Sequence, residues 1–83
     1  MAKYTVKIEV RFKPGVLDPQ GETIKHALFN LGYDNVESVK TGKLFWVELE
    51  SNTVENAIQT VRQLADKLLA NPVIEDFEVV SRK

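Results

Sequence analysis

The sequence holds one histidine, His26, and no cysteine. A hydrolase or transferase built on a nucleophile needs a serine, threonine or cysteine activated by a base. No serine–histidine pairing is readable, and the thiol route is closed. At helical spacing, His26 has one ligand-type neighbour, Glu22, which is too few donors for a metal centre. Its ordinary reading is a solvated surface histidine. Glu75 and Asp76 are adjacent in an extended stretch, so they point to opposite faces and cannot share a proton. Glu48 and Glu50 do share a face, but one that reads as open, where carboxylates simply hydrate. Neither a Gly-x-Gly-x-x-Gly nor a Walker phosphate loop is present. The formal net charge of −1 gives no field to draw in nucleic acid or an anionic membrane. The residues therefore describe a small binding or assembly unit with no self-sufficient catalytic site.

The stretch with the most unusual make-up is Lys13-Pro14-Gly15-Val16-Leu17-Asp18-Pro19-Gln20-Gly21. It carries two of the three prolines and two of the four glycines. Pro14-Gly15 signals a turn. Asp18-Pro19 signals a helix start, with Asp as N-cap and Pro at the first helical position. Between them sit two adjacent aliphatics, Val16 and Leu17. A loop with that pair either folds onto the core or offers a sticky surface. As a surface it makes Pro14, Gly15, Val16, Leu17, Asp18 and Gln20 the candidate partner-binding residues.

The elements that would hold this loop are read from periodicity. Tyr4, Val6, Ile8, Val10 and Phe12 alternate with polar residues and give a half-buried strand. Its other face, Thr5, Lys7, Glu9 and Arg11, lacks the aromatics of an RNA-binding sheet. A first helix runs from about Pro19 to Leu31, with Ile24, Ala27, Leu28 and Leu31 in one narrow stripe and Gly32 as its left-handed cap. Two strands flank Thr41-Gly42 as a tight hairpin, pairing Val39 with Leu44 and Val36 with Val47. A second helix begins at Asn52 or Thr53. It carries Val54, Ala57, Ile58, Val61, Leu64, Ala65 and Leu68 as a stripe and stops at Asn71-Pro72. A last strand covers about Ile74 to Val80.

The order β-α-β-β-α-β gives an α+β, ferredoxin-like fold: one domain, residues 1–83, with a four-stranded antiparallel sheet and two helices on one face. The first and third strands are expected central and parallel. On the uncovered face, Val39, Leu44 and Trp46 come together, with Ile74 and Val80 toward the far edge. These five are the candidate oligomer interface, because so small a domain has little stability to spare. The alternating N-terminus does not read as a signal peptide, and no apolar run spans a membrane. A chain without cysteine fits a reducing compartment. The expected location is cytoplasmic, with no nucleic-acid or membrane partner.

The Lys13–Gly21 run resembles the signature of the PurS family, small subunits of phosphoribosylformylglycinamidine (FGAM) synthase. Leu31-Gly32-Tyr33 followed by Val36 and Thr41-Gly42-Lys43 resembles it too, as does the run from Leu68 to Val79. The resemblance implies a subunit of an ATP- and glutamine-dependent ligase of purine biosynthesis. It implies a chain without catalytic residues or cofactor, with ATP and Mg on a PurL-type synthetase subunit. It also implies a bridge to a PurQ-type glutaminase subunit, and a homodimer or higher homo-oligomer. The alternative is a regulatory amino-acid-binding module of the ACT type, which shares the expected element order and a Pro-Gly turn after its first strand.

Overall fold

The alternating N-terminal residues make the central strand of the sheet. In the computed structural model, which describes residues 1–82, β1 runs Ala2–Phe12. Val6, Ile8 and Val10 are fully buried on one face, with Tyr4 and Phe12 half-buried beside them. β2, Gly42–Ser51, and β3, Glu75–Arg82, flank β1 in the order β2-β1-β3, and both are antiparallel to it. Val6 faces Val47, and Ile8 lies between Phe45 and Val79.

This corrects the ferredoxin-like expectation in two ways. Among the described residues the sheet has three strands, not four, and β2 is antiparallel to β1 where a parallel neighbour was expected. The missing strand is the first arm of the expected Thr41-Gly42 hairpin. A two-residue hairpin loop of type I′ or II′ needs a positive φ. Among the described residues only Gly15 and Gly32 have one. Gly42 is instead the first residue of β2, and Thr41 is turned toward Asp18.

α2, Val54–Leu64, starts at Thr53, whose hydroxyl accepts the Asn56 N–H at 3.1 Å. Of the two starts the sequence offers, Asn52 and Thr53, the cap is Thr53. β2 and β3 run the same way on either side of β1, so α2 crosses over β1 between them and packs on all three strands. Ala57, Val61 and Ala65 are fully buried against Val6 and Ile8. The helix then opens into a π-helical turn, Ala65–Leu69, in which the Ala70 N–H donates to the Ala65 carbonyl at 2.9 Å. One extra residue in a turn rotates whatever follows. The apolar stripe accordingly passes to Leu69 and Ala70, while Leu68, expected inside, is 81% exposed.

α1, Pro19–Asn30, is the second departure. It was expected on the sheet beside α2. It buries only Gly21 and makes no substantial contact with any strand. The topology explains this. Antiparallel neighbours joined in sequence leave and re-enter the sheet at the same end, so the chain between Phe12 and Gly42 has no need to cross the sheet. α1 is part of an excursion from that end. The molecule is accordingly long, 53 × 24 × 14 Å, with a radius of gyration of 16.4 Å where about 12 Å suits a compact chain of this length. Gly32 ends α1 at φ +99°, and the Tyr33 N–H reaches back to the Leu28 carbonyl at 3.0 Å.

The π-turn has a measurable consequence. Leu69→Ala should cost on the order of 2 kcal/mol, whereas Leu68→Ala should stay within about 0.5 kcal/mol. Chemical denaturation of both variants checks this, and an uninterrupted helix would reverse the order.

Candidate functional site

The loop from Lys13 to Gly21 is built from the β1 terminus outward. The Lys13 N–H donates to the Ile74 carbonyl at 2.8 Å, which ties the loop to the start of β3. The Val16 N–H donates to the Lys13 carbonyl at 3.1 Å, closing the turn over Pro14 and Gly15. Asp18 follows as the N-cap of α1. Its Oδ1 accepts the Gly21 N–H at 2.8 Å, and its main-chain carbonyl accepts the Glu22 N–H at 3.0 Å.

The same carboxylate reaches across the excursion. Its Oδ2 accepts the Thr41 N–H at 2.6 Å, and the Thr41 hydroxyl lies 2.9 Å from both oxygens. Asp18 is 3% exposed, a buried carboxylate satisfied by hydrogen bonds alone. Burial of such a charge is costly unless its lone pairs are filled. Here the Thr41 N–H, and after it the Gly21 N–H, hold the carboxyl below the usual aspartate value and outweigh desolvation. Gly21 completes the junction. The Val39 carbonyl comes so close that a Cβ at position 21 would run into it.

What remains outward is a small apolar tip. Leu17 is 71% exposed, Pro14, Gly15 and Gln20 are exposed, and Val16 is half-buried. A cleft of about 300 Å³ lies between this turn and Lys40–Thr41, with Phe12 and Val16 in its wall. The structure thus divides the six loop candidates. Five are at or near the surface, while the oxygens of Asp18 are engaged within the chain. Of the two aliphatics, Val16 is half-buried and Leu17 is exposed.

The five candidates for self-association do not form one patch. Leu44 and Trp46 lie on the uncovered face of β2, and Trp46 is 62% exposed. Lys7, directly opposite on β1, holds its ammonium 5.7 Å from the indole centre, a cation–π contact. Val80 is exposed on β3, where the pairing with β1 shifts register. Val39 and Ile74 are elsewhere. Val39 sits at the start of α1 through its carbonyl, and Ile74 lies in the turn before β3. Val39 is displaced because its strand does not form, and Ile74 because β3 begins one residue later, at Glu75. His26 is exposed on α1, and among the described residues no three His, Asp or Glu side chains gather as a metal site. No helix among them is long and apolar enough to cross a membrane.

Thr41 was missed as a functional partner of Asp18. It lies 23 residues away, and nothing local marks it.

The profile of the PurS family, described as phosphoribosylformylglycinamidine (FGAM) synthase, matches residues 5–83. The chain belongs to the PurS family. It is 40% identical over 80 residues to the phosphoribosylformylglycinamidine synthase subunit PurS of Methanocaldococcus jannaschii, covering 96% of each chain. To the subunit of the same name from Bacillus subtilis it is 40% identical over 74 residues, covering 89% of this chain and 87% of that one. Among solved structures, the M. jannaschii PurS aligns with a TM-score of 0.83 at 38% identity, over 96% of this chain and 95% of that one. It is described as one of the subunits of formylglycinamide ribonucleotide amidotransferase in the purine biosynthetic pathway. A chain of the Thermotoga maritima PurLQS structure aligns with a TM-score of 0.85 at 34% identity, over 95% of this chain and 96% of that one. The α+β arrangement of two helices and a three-stranded antiparallel sheet is thus a PurS fold along nearly its whole length.

The Asp18 junction makes stability depend on acid. A carboxyl whose value is lowered by folding contributes stability above the ordinary aspartate value, about 3.9, and loses it as pH falls from there through the folded value. Asp18→Asn should therefore melt below the parent at pH 7, and the gap should close below about pH 4. Thermal melts across that range check it; a gap constant with pH would show that ionised Asp18 is not the cause.

Proposed function

We propose that this chain is the small subunit of an FGAM synthase in purine biosynthesis, and that it joins a synthetase subunit to a glutaminase subunit without contributing a catalytic residue. The observation that carries this is the end-to-end alignment with the PurS chain of the PurLQS structure, where neither partner of the alignment has a large unmatched part. The chemistry of the enzyme, ATP-driven amidation with nitrogen from glutamine, then belongs to the partners, and ATP and Mg bind on the synthetase. The subunit's setting is the cytoplasm, where that pathway's soluble substrates are.

Its contribution is positional. The Lys13–Gly21 loop is an apolar tip whose base is fixed at Ile74 and at Thr41. A tip held in one conformation loses little entropy when a partner covers it. Leu17 is the anchor for a pocket on a large subunit, and Pro14, Gly15, Val16 and Gln20 frame it. Reconstitution tests this reading. Synthetase and glutaminase together should form FGAM from glutamine only when this chain is added, and the chain alone should consume neither glutamine nor ATP. Leu17→Ser should weaken assembly about tenfold, near 1.4 kcal/mol, with the melting temperature unchanged. Glutamine-dependent activity at full rate without the chain would sink the proposal.

The subunit also associates with itself in this reading. Leu44 and Trp46 offer apolar surface on the face that α2 leaves open. Covering about 200 Å² of it is worth roughly 5 kcal/mol before the cost of association. Trp46→Glu should lower the mass measured by sedimentation at micromolar concentration while the circular dichroism spectrum is kept. An unchanged mass would remove this face from the assembly.

A further inference from the structure

The net charge of the chain is −1, but the corner around the Lys13–Gly21 loop carries a local excess of cations. Two clefts of about 300 Å³ each adjoin there, one beside the Pro14-Gly15 turn and one at the start of β2. Arg11, Lys40 and Thr41 line both. Lys13 lines the first and Lys43 the second. The acids at this end of the sheet, Asp66, Glu75, Asp76 and Glu78, lie instead around a third cleft along β3, which Arg11 and Lys13 border.

The other charges of the two clefts are already matched. Arg11 pairs with Glu9 at 3.0 Å and with Glu78 at 2.9 Å. Asp18 is buried, and its oxygens are filled by Gly21 and Thr41. Lys40 adds only a weak pull on that carboxylate and makes no ion pair with it. Among the described residues, Lys13, Lys40 and Lys43 have no ion-pair partner. Lys40 and Lys43 are exposed, and Lys13 is half-buried. Lysines scattered singly over a surface simply hydrate. These three come from two distant stretches of chain and gather at the foot of one apolar tip, whose Leu17 is 71% exposed.

We propose that Lys13, Lys40 and Lys43 receive a carboxylate-rich surface of the large subunit that takes up Leu17, and steer this end of the sheet onto it. The inference rests on the reading of the Lys13–Gly21 loop as a docking loop, and it names the chemistry of the partner. A small anion fits the corner less well. Phosphate sites are built on main-chain N–H groups at a helix start or in a turn. Here the start of α1 is taken by the chain's own Asp18, whose carboxylate accepts the Gly21 and Thr41 N–H groups. That leaves the lysine ammonium groups, each on a long mobile stem, to hold an anion by charge. Carboxylates on a partner need no such cradle, because the seating of Leu17 brings them within reach. Charges at the rim of an interface act over about 8 Å at physiological salt. They speed encounter more than they slow dissociation.

The rate at which the full chain binds its synthetase and glutaminase partners, followed by stopped flow at low and high sodium chloride, tests this. The parent should associate about tenfold faster at low salt. Lys13→Gln, Lys40→Gln and Lys43→Gln combined should remove most of that difference, with the melting temperature and the dissociation rate near the parent's. Lys13→Arg, Lys40→Arg and Lys43→Arg combined keep the charge and should keep the salt dependence. Leu17→Ser should do the reverse of the neutral variant, dissociating faster with the salt dependence intact. If Leu17→Ser weakens assembly but the neutral variant associates like the parent at both salts, the charge proposal falls and the docking loop stands. Leu17→Ser without effect removes the docking reading, and the proposal with it. An arginine variant as slow as the neutral one overturns the proposal, because shape and not charge is then at work. Saturable binding of inorganic phosphate by the isolated chain, lost in the neutral variant, also overturns it by making the clefts a small-anion site.

Discussion

The carboxylate of Asp18 is the interaction on which the excursion depends. One buried group fills two duties. It caps α1 through the Gly21 N–H, and it holds Thr41 at the threshold of β2. Removing either acceptor frees one end of the segment between α1 and β2. Because Gly21 admits the Val39 carbonyl, the returning chain lies against the helix start and not along β2. The choice between a fourth strand and an ordered excursion is made here. Backbone groups of residues 36–41 that would have paired with β2 are spent at the junction, or left to solvent.

Much of the architecture was legible from local chemistry. β1 is readable because its alternation is unbroken and one face is buried along its length. The ends of α1 are readable because Asp18-Pro19 and Gly32 are capping residues acting within a few positions. The start of α2 was placed within one residue because Asn52 and Thr53 are both good caps, and only the hydroxyl of Thr53 reaches Asn56. What was not legible depends on distance in sequence. Thr41-Gly42 has hairpin composition, but a contact with Asp18 from far upstream overrides it. Leu68 has core spacing, but a π-turn closed by the Ala65 carbonyl shifts the stripe. Nothing in the spacing of apolar residues announces an extra residue in a turn.

The candidate site follows the same division. The Lys13–Gly21 loop stands out by composition, so Val16 and Leu17 could be named together from the residues, but not which of the two is exposed. The open-face cluster could not, because it was counted outward from a hairpin that does not form. Leu44 and Trp46 survive on that face since β2 itself is sound. Val39 falls away since its place came from pairing register, and Ile74 since β3 begins just after it. A register error moves a whole set of side chains at once, which makes patches across strands less readable than patches along one.

The core is built mostly from small side chains. Its fully buried side chains are Val6, Ile8, Val10 and Val61, with alanines filling the rest, so little large apolar surface is sequestered. Stability in a small domain is a narrow difference between burial and chain entropy. Here one helix closes one face of three strands, and the apolar residues of α1, Leu17 and Trp46 remain outside. A buried carboxylate fixes α1 at the end of the sheet, with its apolar residues and Leu17 at the surface. The hydrogen bonds that fix this junction go with a sheet that carries a single helix.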